Sequence, residues 1–589
     1  MKISNHIIIL LLWISLAISA QTKDSTVNRK VTIEREFVPL IQDAGKLKSS
    51  PKILEPSLEK SAPKYSDFNL PLNTDFNIHI LSAAELQLEK RKDNKGGFAR
   101  VGLGNFYNTL ADFAYPIIKS PKTRLDLSLH HLATFGTKKH STTNAELSFD
   151  QFFDAFNFYG GLGGAHEYLK YYGNNYKLGA ITNLDTLAKY NSTNPQPIFE
   201  EKNRMGINTT PRKIQLDSLA NDSVGDTFWR FDAFIGVRSL PLNDGLKYQA
   251  QLKYQLFDSR NGMTENVIHT QGGFSTVGEE KNWGIDFDLK NLIYNSHHSN
   301  LLNTWNSYSV FKFNPYYSIE RTNWNARLGA KSSFSIGHGK PINPSLDING
   351  EWKLTPKSLA IYGGLTGNYE VNTLNDIFTE NRYLSPDIKV DDTFTPFEFY
   401  AGIKIKPLYN LLLDTYIDYS SIQNQYFFVN KEYSCSTLSG ADGTLYSNRF
   451  NVLYSNASLF KIGARASYNL RNIVNVELKG AYNGWKVNTE TYAWNKPAWD
   501  ASLKADMHFT HDLSFSVNTF LEGERYAKLG TAAVRMRPKV DINLGAAYSY
   551  NNWLTVFARL NNLINNPYQD FYGYQVQGIN GMVGAAFSF

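Results

Sequence analysis

The chain ends on Gly578-Ile-Asn-Gly-Met-Val-Gly-Ala-Ala-Phe-Ser-Phe589, and this stretch decides the fold. Its side chains alternate at period two, so that Val583, Ala585 and Phe587 share one face with the terminal Phe589. A soluble sheet that stopped here would leave an open edge, whereas a closed barrel pairs its last strand with its first. The ending therefore predicts an all-β, antiparallel transmembrane barrel.

The segment before this strand carries a second motif, Asn562-Leu-Ile-Asn565, within Phe557-Ala-Arg-Leu-Asn-Asn-Leu-Ile-Asn-Asn-Pro-Tyr568. The motif and the Phe-terminated strand resemble the C-terminus of the TonB-dependent receptor family. The resemblance implies a barrel in the outer membrane of a Gram-negative cell. It also implies that Phe587 and Phe589 belong to an insertion signal, read by the barrel-assembly machinery while the protein enters the lipid.

The composition fits a membrane barrel, because 35 Tyr, 37 Phe and 10 Trp accompany a single Cys. Aromatic residues are enriched where barrels meet the two lipid interfaces. The net charge of +6 supplies no basic stripe, so no nucleic-acid partner is expected. No phosphate loop, nucleophile elbow or zinc spacing occurs in the sequence, and we expect neither an enzyme, nor a cofactor, nor a metal site.

The sequence divides into three parts. Residues 1–20 read as a signal peptide, with Lys2 before an apolar run and small residues at Ala17–Ala20. Residues 21–95 form an extended N-terminal segment, periplasmic or lumenal, which contains the run Val31–Ile41 followed by a tract rich in Pro and Lys. Residues 96–589 are predicted to be the barrel.

The barrel part alternates repeatedly, as in Leu246-Lys-Tyr-Gln-Ala-Gln-Leu-Lys-Tyr-Gln-Leu256, and yields about 22 strands. Numbered from Phe98, even strands are followed by short turns, whereas most odd strands are followed by long loops such as Gly173–Gly225, Asn372–Pro396 and Asn430–Asn448. A soluble β-sandwich has no reason to sort loop length in this way. Short turns on one side and long loops on the other are typical of an outer-membrane barrel, with the short turns in the periplasm.

A barrel of this size is about 40 Å wide and needs something to close its lumen. TonB-dependent receptors use a folded plug domain, but residues 21–95 are too few and too rich in Pro for one. The resemblance thus implies a plugless relative that passes or binds solutes at the cell surface. The alternative is a structural or accessory subunit of a larger outer-membrane complex. The segment 21–95 and the long loops are the candidate seals, and the run Val31–Ile41 could instead add a strand to a periplasmic partner.

Two sets of residues are candidates for function. Charged residues on the polar strand faces are predicted to line the lumen, either selecting a solute or balancing one another: Lys247, Lys253, Asp286, Asp288, Lys290, Lys404, Lys406, Asp414, Asp418, Glu477, Lys479, Lys504, Asp506 and His508. Aromatic residues of the long loops are predicted to contact a ligand or a partner such as a surface lipoprotein, or to belong to the outer aromatic girdle: Trp305, Tyr383, Tyr492, Trp494, Tyr572 and Tyr574.

Overall fold

A computed structural model describes residues 96–173, 176–178, 199–200, 213–214, 225–240, 245–278, 280–294, 306–355, 358–386, 388–436, 442–471 and 473–589. All of them lie within one structural unit, Leu70–Phe589. The signal peptide 1–20 and the extended segment 21–95 lie outside the described residues, so both remain predictions.

The described residues form one closed antiparallel barrel of 22 wall strands, which confirms the predicted fold class. The wall strands, labelled β1 to β22 in chain order, are Phe98–Gly104, Thr109–Lys119, Thr123–Thr134, His140–Phe152, Phe156–Lys170, Gly225–Ser239, Gly245–Ser259, Thr264–Val277, Lys281–Tyr294, Tyr308–Glu320, Trp324–Ile336, Ile342–Thr355, Leu359–Glu370, Thr393–Leu408, Leu411–Ser436, Asp442–Leu470, Val474–Val487, Trp499–His508, Leu513–Glu522, Lys539–Ser549, Leu554–Asn561 and Asn580–Ser588. Short strands outside the wall are Tyr176–Leu178, Phe199–Glu200, Lys213–Ile214, Arg525–Leu529, Ala532–Met536, Gln569–Phe571 and Tyr574–Gln575.

The last strand closes the barrel, as its sequence predicts. β22 pairs antiparallel with β1, and Val583 lies opposite Leu103 while Phe587 lies opposite Ala99. β1 also pairs with β2, so both of its edges are used. No wall strand of the described barrel is left with an unpaired edge along the belt, which satisfies the backbone groups inside the lipid.

The two faces of the wall differ in chemistry because side chains alternate along each strand. On β7, Leu246 and Leu252 are 53% and 45% exposed, whereas Lys253, the residue after Leu252, points to the other face and forms an ion pair with Asp232 of β6. Exposed apolar side chains continue around the outside to Val583 of β22. The outer face is therefore apolar and the inner face polar, which is the arrangement of an outer-membrane barrel.

Loop length follows the predicted parity. The connections after even strands are short, for example 120–122 and 509–512, and the longest connections all follow odd strands: 171–224, 371–392, 523–538 and 562–579. The end with short turns is thus periplasmic and the other end, called the mouth here, is extracellular. One expectation is wrong: most of Asn430–Asn448 is not loop, since β15 runs to Ser436 and β16 starts at Asp442.

Helical structure is limited to one α-helix, α1 (Leu374–Glu380), and one 3-10 turn, Asn105–Tyr107, in the described part of the chain. Over these same residues, no helix has the length and apolar character needed to cross a membrane. α1 lies in connection 371–392 at the mouth, where the largest group of buried apolar side chains is also found.

Candidate functional site: the loop cap at the barrel mouth

The mouth is occupied by packed loops, which we call the loop cap. It comprises connections 371–392, 488–498, 523–538 and 562–579 together with the mouth ends of β15 and β16. Its geometry is built around α1.

Helix α1 begins with a capping box. The Thr373 hydroxyl accepts a hydrogen bond from the Asp376 backbone N–H at 3.1 Å, and the Asp376 carboxylate accepts from the Thr373 N–H at 3.4 Å. Leu374, Ile377 and Phe378 follow at helical spacing and share one face. They are 0%, 0% and 1% exposed, so this short helix is held by burial of that face rather than by propensity.

The buried face of α1 packs against the inner wall. The Phe378 ring lies 4.3 Å from the Phe228 ring of β6 and 5.3 Å from the Phe257 ring of β7. Burying a side chain of this size stabilises the packed state by about 1.5–3 kcal/mol. The whole cluster consists of Leu169, Tyr171, Phe228, Phe257, Met263, Leu374, Ile377, Phe378, Leu384, Ile388, Phe428, Phe450, Phe571 and Tyr574.

A buried carboxylate of the wall receives the start of α1. The backbone N–H of Leu374 donates to both oxygens of Glu265 on β8, each at 3.0 Å, and the Tyr294 hydroxyl donates to the same carboxylate at 2.8 Å. Glu265 is 1% exposed. Its oxygens accept from the first N–H group of the helix, which has no acceptor within α1, and this fixes where the helix begins on the wall.

Ion pairs hold the part of connection 371–392 that directly follows α1. Arg382 lies 3.1 Å from Glu167 of β5, which is 1% exposed and also contacts His140 at 3.2 Å and Arg230 at 3.4 Å. Two guanidinium groups and an imidazole thus surround one buried carboxylate. Removal of Arg382 would leave the buried charge of Glu167 with fewer neutralising partners.

A second ion pair joins two connections of the cap: Glu380 and Lys496 are 2.6 Å apart. Because the partners belong to connections 371–392 and 488–498, this pair stabilises the loops against one another rather than against the wall.

The return of connection 371–392 to β14 is anchored by two adjacent carboxylates. The hydroxyls of Tyr308 and Tyr369 donate to Asp392 at 2.7 and 2.9 Å, and His338 contacts Asp391 at 2.6 Å. The hydrogen bond with Asp391 raises the pKa of His338, and burial raises the pKa of Asp392. Both carboxylates therefore have specific partners in the wall and in the neighbouring loop 337–341.

The final connection, 562–579, completes the cap. The rings of Tyr383 and Tyr574 are stacked, with centroids 3.4 Å apart at 17°, and the Tyr574 hydroxyl donates to the Asn448 carbonyl at 2.7 Å. Arg525 donates to the Asp570 carbonyl at 2.6 Å, and Lys539 lies 3.1 Å from the Asp570 carboxylate. Contacts of the cap thus extend over wall strands from β5 to β20.

The predicted loop aromatics lie within this cap. Tyr383 and Tyr574 stack as described, Trp494 is 4% exposed, and Tyr492 stacks on Tyr526 at 4.1 Å. Tyr572 is half-buried, and Trp305 lies outside the described residues. In this conformation Tyr383, Tyr574, Tyr492 and Trp494 stabilise the loops by packing against other aromatic side chains of the cap.

The predicted lumen residues alternate with exposed apolar side chains and so face inward on their strands. Several form ion pairs. Two pairs join neighbouring strands, Lys253–Asp232 at 3.2 Å and Asp288–His269 at 2.6 Å; two join strands that are two positions apart, Asp286–Arg327 at 3.0 Å and Lys404–Glu351 at 2.7 Å; and Lys479–Glu477 at 2.8 Å lies within β17. Asp414 accepts from the Tyr362 hydroxyl at 2.8 Å and Asp418 from the Ser420 hydroxyl at 2.9 Å. Lys247, Lys290, Lys406, Lys504, Asp506 and His508 lie on the same inner face.

Sequence reasoning missed the residues that receive the cap. Glu167, Glu265 and Asp392 are ordinary alternating or loop carboxylates in the sequence, and nothing local distinguishes them from other acidic residues. The spacing of Thr373 and Asp376 is a capping-box pattern, and it could have indicated a helix inside the predicted loop Asn372–Pro396.

The closed barrel with its apolar exterior has the fold of an outer-membrane β-barrel, and solved structures with this fold are similar to it. The ferric-catecholate import receptor Fiu from Escherichia coli K12, in its closed form, is 11% identical, with a TM-score of 0.57, covering 84% of this chain and 82% of that one. The siderophore receptor PirA from Acinetobacter baumannii is 9% identical, with a TM-score of 0.55 and coverage of 85% and 81%. A mutant of the ferric enterobactin receptor PfeA from Pseudomonas aeruginosa is 11% identical, with a TM-score of 0.55 and coverage of 84% and 80%.

No protein-family model matches the chain, and no curated protein sequence matches it. The likeness to solved structures establishes the fold: this is an outer-membrane barrel with the architecture of TonB-dependent siderophore receptors. The described residues contain the barrel and its loops, without a globular plug domain.

Proposed function

We propose that this protein is a plugless receptor-type barrel that binds solutes at the cell surface and passes them when the loop cap moves. The observation that supports it is the burial of α1 in the mouth, with Leu374 and Ile377 at 0% exposure. In this proposal the helix and the loops packed on it must move before a solute enters the lumen. The similar structures are, by their names, receptors that import or bind ferric siderophores, so a transport-type role is favoured over a catalytic one.

In this proposal the inner wall below the cap supplies the path. The paired charges, such as Asp286 with Arg327, keep the surface hydrated without giving it one dominant sign. The loop aromatics, including Tyr383 and Tyr574, become available to a ligand only when the cap opens. Phe587 and Phe589 serve the barrel-assembly machinery during insertion.

Conductance in planar lipid bilayers tests the proposal. We expect the intact protein to show low conductance. The double variant Phe378→Ala/Arg382→Gln removes the ring between Phe228 and Phe257 and the cation beside Glu167. It should therefore raise conductance or the frequency of opening. The matched control is Thr379→Ala, on the exposed side of the same helix. Equal, low conductance of the double variant and the control, with both barrels folded, would contradict gating by the cap.

The same closed cap also favours a second function, that of a structural or accessory subunit in a larger outer-membrane complex. A mouth held shut by a buried core and by pairs such as Glu380–Lys496 needs no solute in order to be stable. In that case the loops would contact a surface lipoprotein, or the segment 21–95 a periplasmic partner. Purification from native membranes in mild detergent separates the two, since a stoichiometric partner is expected only for the subunit.

A further inference from the structure

The outer face of β3 to β6 carries a row of polar side chains, which is unusual for a surface that faces lipid. The register places His131 of β3 opposite Thr143 of β4, Thr143 opposite His166 of β5, and His166 opposite Trp229 of β6. These residues alternate with the inward Glu167 and Arg230, and Trp229 is 55% exposed. The row therefore faces the membrane.

Specific contacts hold the row together. His131 Nδ1 lies 2.8 Å from the Thr143 hydroxyl, and the ring of His166 is 4.3 Å from the ring of Trp229. Polar side chains on a lipid-facing surface are unfavourable at mid-membrane and tolerated near the interface. The position of the row along the membrane normal and the side chains around it therefore determine which part of the lipid it contacts.

The row lies near the extracellular edge of the apolar belt. His131 is eight residues along β3 from Thr123 at the periplasmic end, which is a height of about 20 Å for a tilted strand in a belt about 25 Å tall. Directly below the row the outer face of these strands carries exposed apolar side chains, Leu129, Leu162, Phe231 and Ile235, and polar residues return at the periplasmic end with Thr123 and Gln151.

A lysine lies just above the row. Lys139, in the turn between β3 and β4, has its Nζ 5.0 Å from the centre of the Tyr168 ring and 6.0 Å from that of Phe135. Tyr168 is on the outer face of β5, two residues beyond His166, so Lys139 lies over the same surface. From top to bottom this surface presents an ammonium group, two imidazoles with an indole, and an apolar wall.

We propose that this surface binds a phosphorylated glycolipid of the outer leaflet, of the lipid A type. Lysine and histidine are suited to bind phosphate, an indole and a phenol suit the interface, and the apolar wall matches acyl chains. Because the row lies at the extracellular edge of the belt, the lipid that reaches it belongs to the outer leaflet. The surface lies wholly on the outside of the barrel and shares no residue with the loop cap.

Native mass spectrometry of the full-length protein in detergent, titrated with lipid A, phosphatidylglycerol or phosphatidylcholine, tests the proposal. We expect the protein to bind lipid A more tightly than either phospholipid. Lys139→Ala should weaken lipid A binding about fivefold, the effect of one interfacial lysine. The triple variant Lys139→Ala/His131→Ala/His166→Ala should remove the preference.

The matched control is Lys486→Ala, because Lys486 faces outward on β17 at the opposite wall, beside Ser458. Its lipid A affinity should equal that of the unchanged protein. If the triple variant misfolds, as judged by heat-modifiable migration, the single variants Lys139→Ala and Lys139→Gln decide the question. Equal binding of lipid A and phosphatidylcholine, equal binding of lipid A and phosphatidylglycerol, or unchanged lipid A affinity in the folded Lys139 variants would overturn the proposal.

Discussion

At the scale of single residues, the seam between the first and last strands depends on two glycines, because the lack of a Cβ lets neighbouring groups approach closely. Gly102 of β1 lies opposite Gly584 of β22, and the Phe557 ring of β21 covers both. A Cβ at Gly584 would overlap the Val101 backbone oxygen and the Phe557 ring. The inner wall at the seam is therefore closed by one aromatic ring lying over two glycines.

Gly584→Ala should reduce the yield of folded barrel, because the strands at the seam would have to separate to admit the methyl group. Heat-modifiable migration of membrane fractions measures the folded share. The control is Gly164→Ala on β5, where an added Cβ meets nothing within 4 Å. A Gly584→Ala barrel that folds as well as this control would show that the seam can relax.

The motif Asn562–Asn565 acts through its backbone and its buried amide. Asn562 and Asn565 have φ values of 49° and 52°, a left-handed conformation that asparagine tolerates better than most residues. Asn562 is 3% exposed, and its side chain donates to the Gln577 carbonyl at 2.9 Å and accepts from the Asn566 N–H at 2.9 Å. The motif thus turns β21 into the connection 562–579 of the cap.

At the scale of elements, α1 is the part of the cap with the clearest sequence signal. Thr373→Ala should destabilise the helix by about 1 kcal/mol, since it removes the acceptor for the Asp376 N–H. Hydrogen exchange of the α1 amides should become faster, while exchange in the wall strands stays unchanged. Thr379→Ala is the control, because its hydroxyl is exposed and bonds only to the Asn375 carbonyl. Equal exchange in the two variants would refute the capping role.

The stability of the segment that joins the cap to β14 should depend on pH through the protonation of His338. Its hydrogen bond with Asp391 raises its pKa, so the protonated form is favoured in the folded cap. The resulting stabilisation is complete below the ordinary histidine value of about 6.5 and is lost as the pH rises through the raised folded value. Asp391 is buried, which by itself would raise its pKa, but its hydrogen bond with His338 contributes to a net lowering. The acid therefore stays charged across this window.

We expect hydrogen exchange in connection 371–392 to be faster at pH 9 than at pH 6, after correction for the intrinsic pH dependence of exchange. His338→Ala should abolish the difference. Other groups near His338 are the Tyr308 ring at 4.6 Å, Asp392 and Lys389. A corrected difference that persists in His338→Ala would assign the effect to one of these groups.

At the scale of the whole molecule, closure of the wall requires the terminal strand. Phe589 is 54% exposed on the outer face, its ring lies 6.2 Å from that of Tyr115 of β2, and its backbone pairs with Gly97. The C-terminal residue thus contacts the first two strands of the barrel from the lipid side.

Phe589→Asp should block assembly rather than activity, because a charge on the lipid face opposes insertion, by about 0–1 kcal/mol near an interface and more at greater depth. Loss of the proposed insertion signal would add to this defect. Outer-membrane levels of folded protein measure the outcome. Phe589→Tyr, which keeps an aromatic ring, is the control and should assemble normally. Normal levels of the Asp variant would contradict the assignment.

The sequence by itself determined the barrel, because its signals are local. Alternation along Leu246–Leu256, the Phe-terminated strand and the parity of loop length each depend on neighbouring residues. These features are enough to predict the strand number, the closure between β22 and β1, the inner position of Lys253 or Asp286, and the periplasmic side.

Only the tertiary structure decided how the loops pack at the mouth. Glu265 and Leu374 are 109 positions apart in the chain, and Tyr172 and Tyr383, whose hydroxyls meet in the cap, are 211 apart. No period or short motif encodes such contacts, because they arise when barrel closure brings loops from distant strands to one end. The polar row from His131 to Trp229 has the same origin, since four strands must lie in register before its members become neighbours.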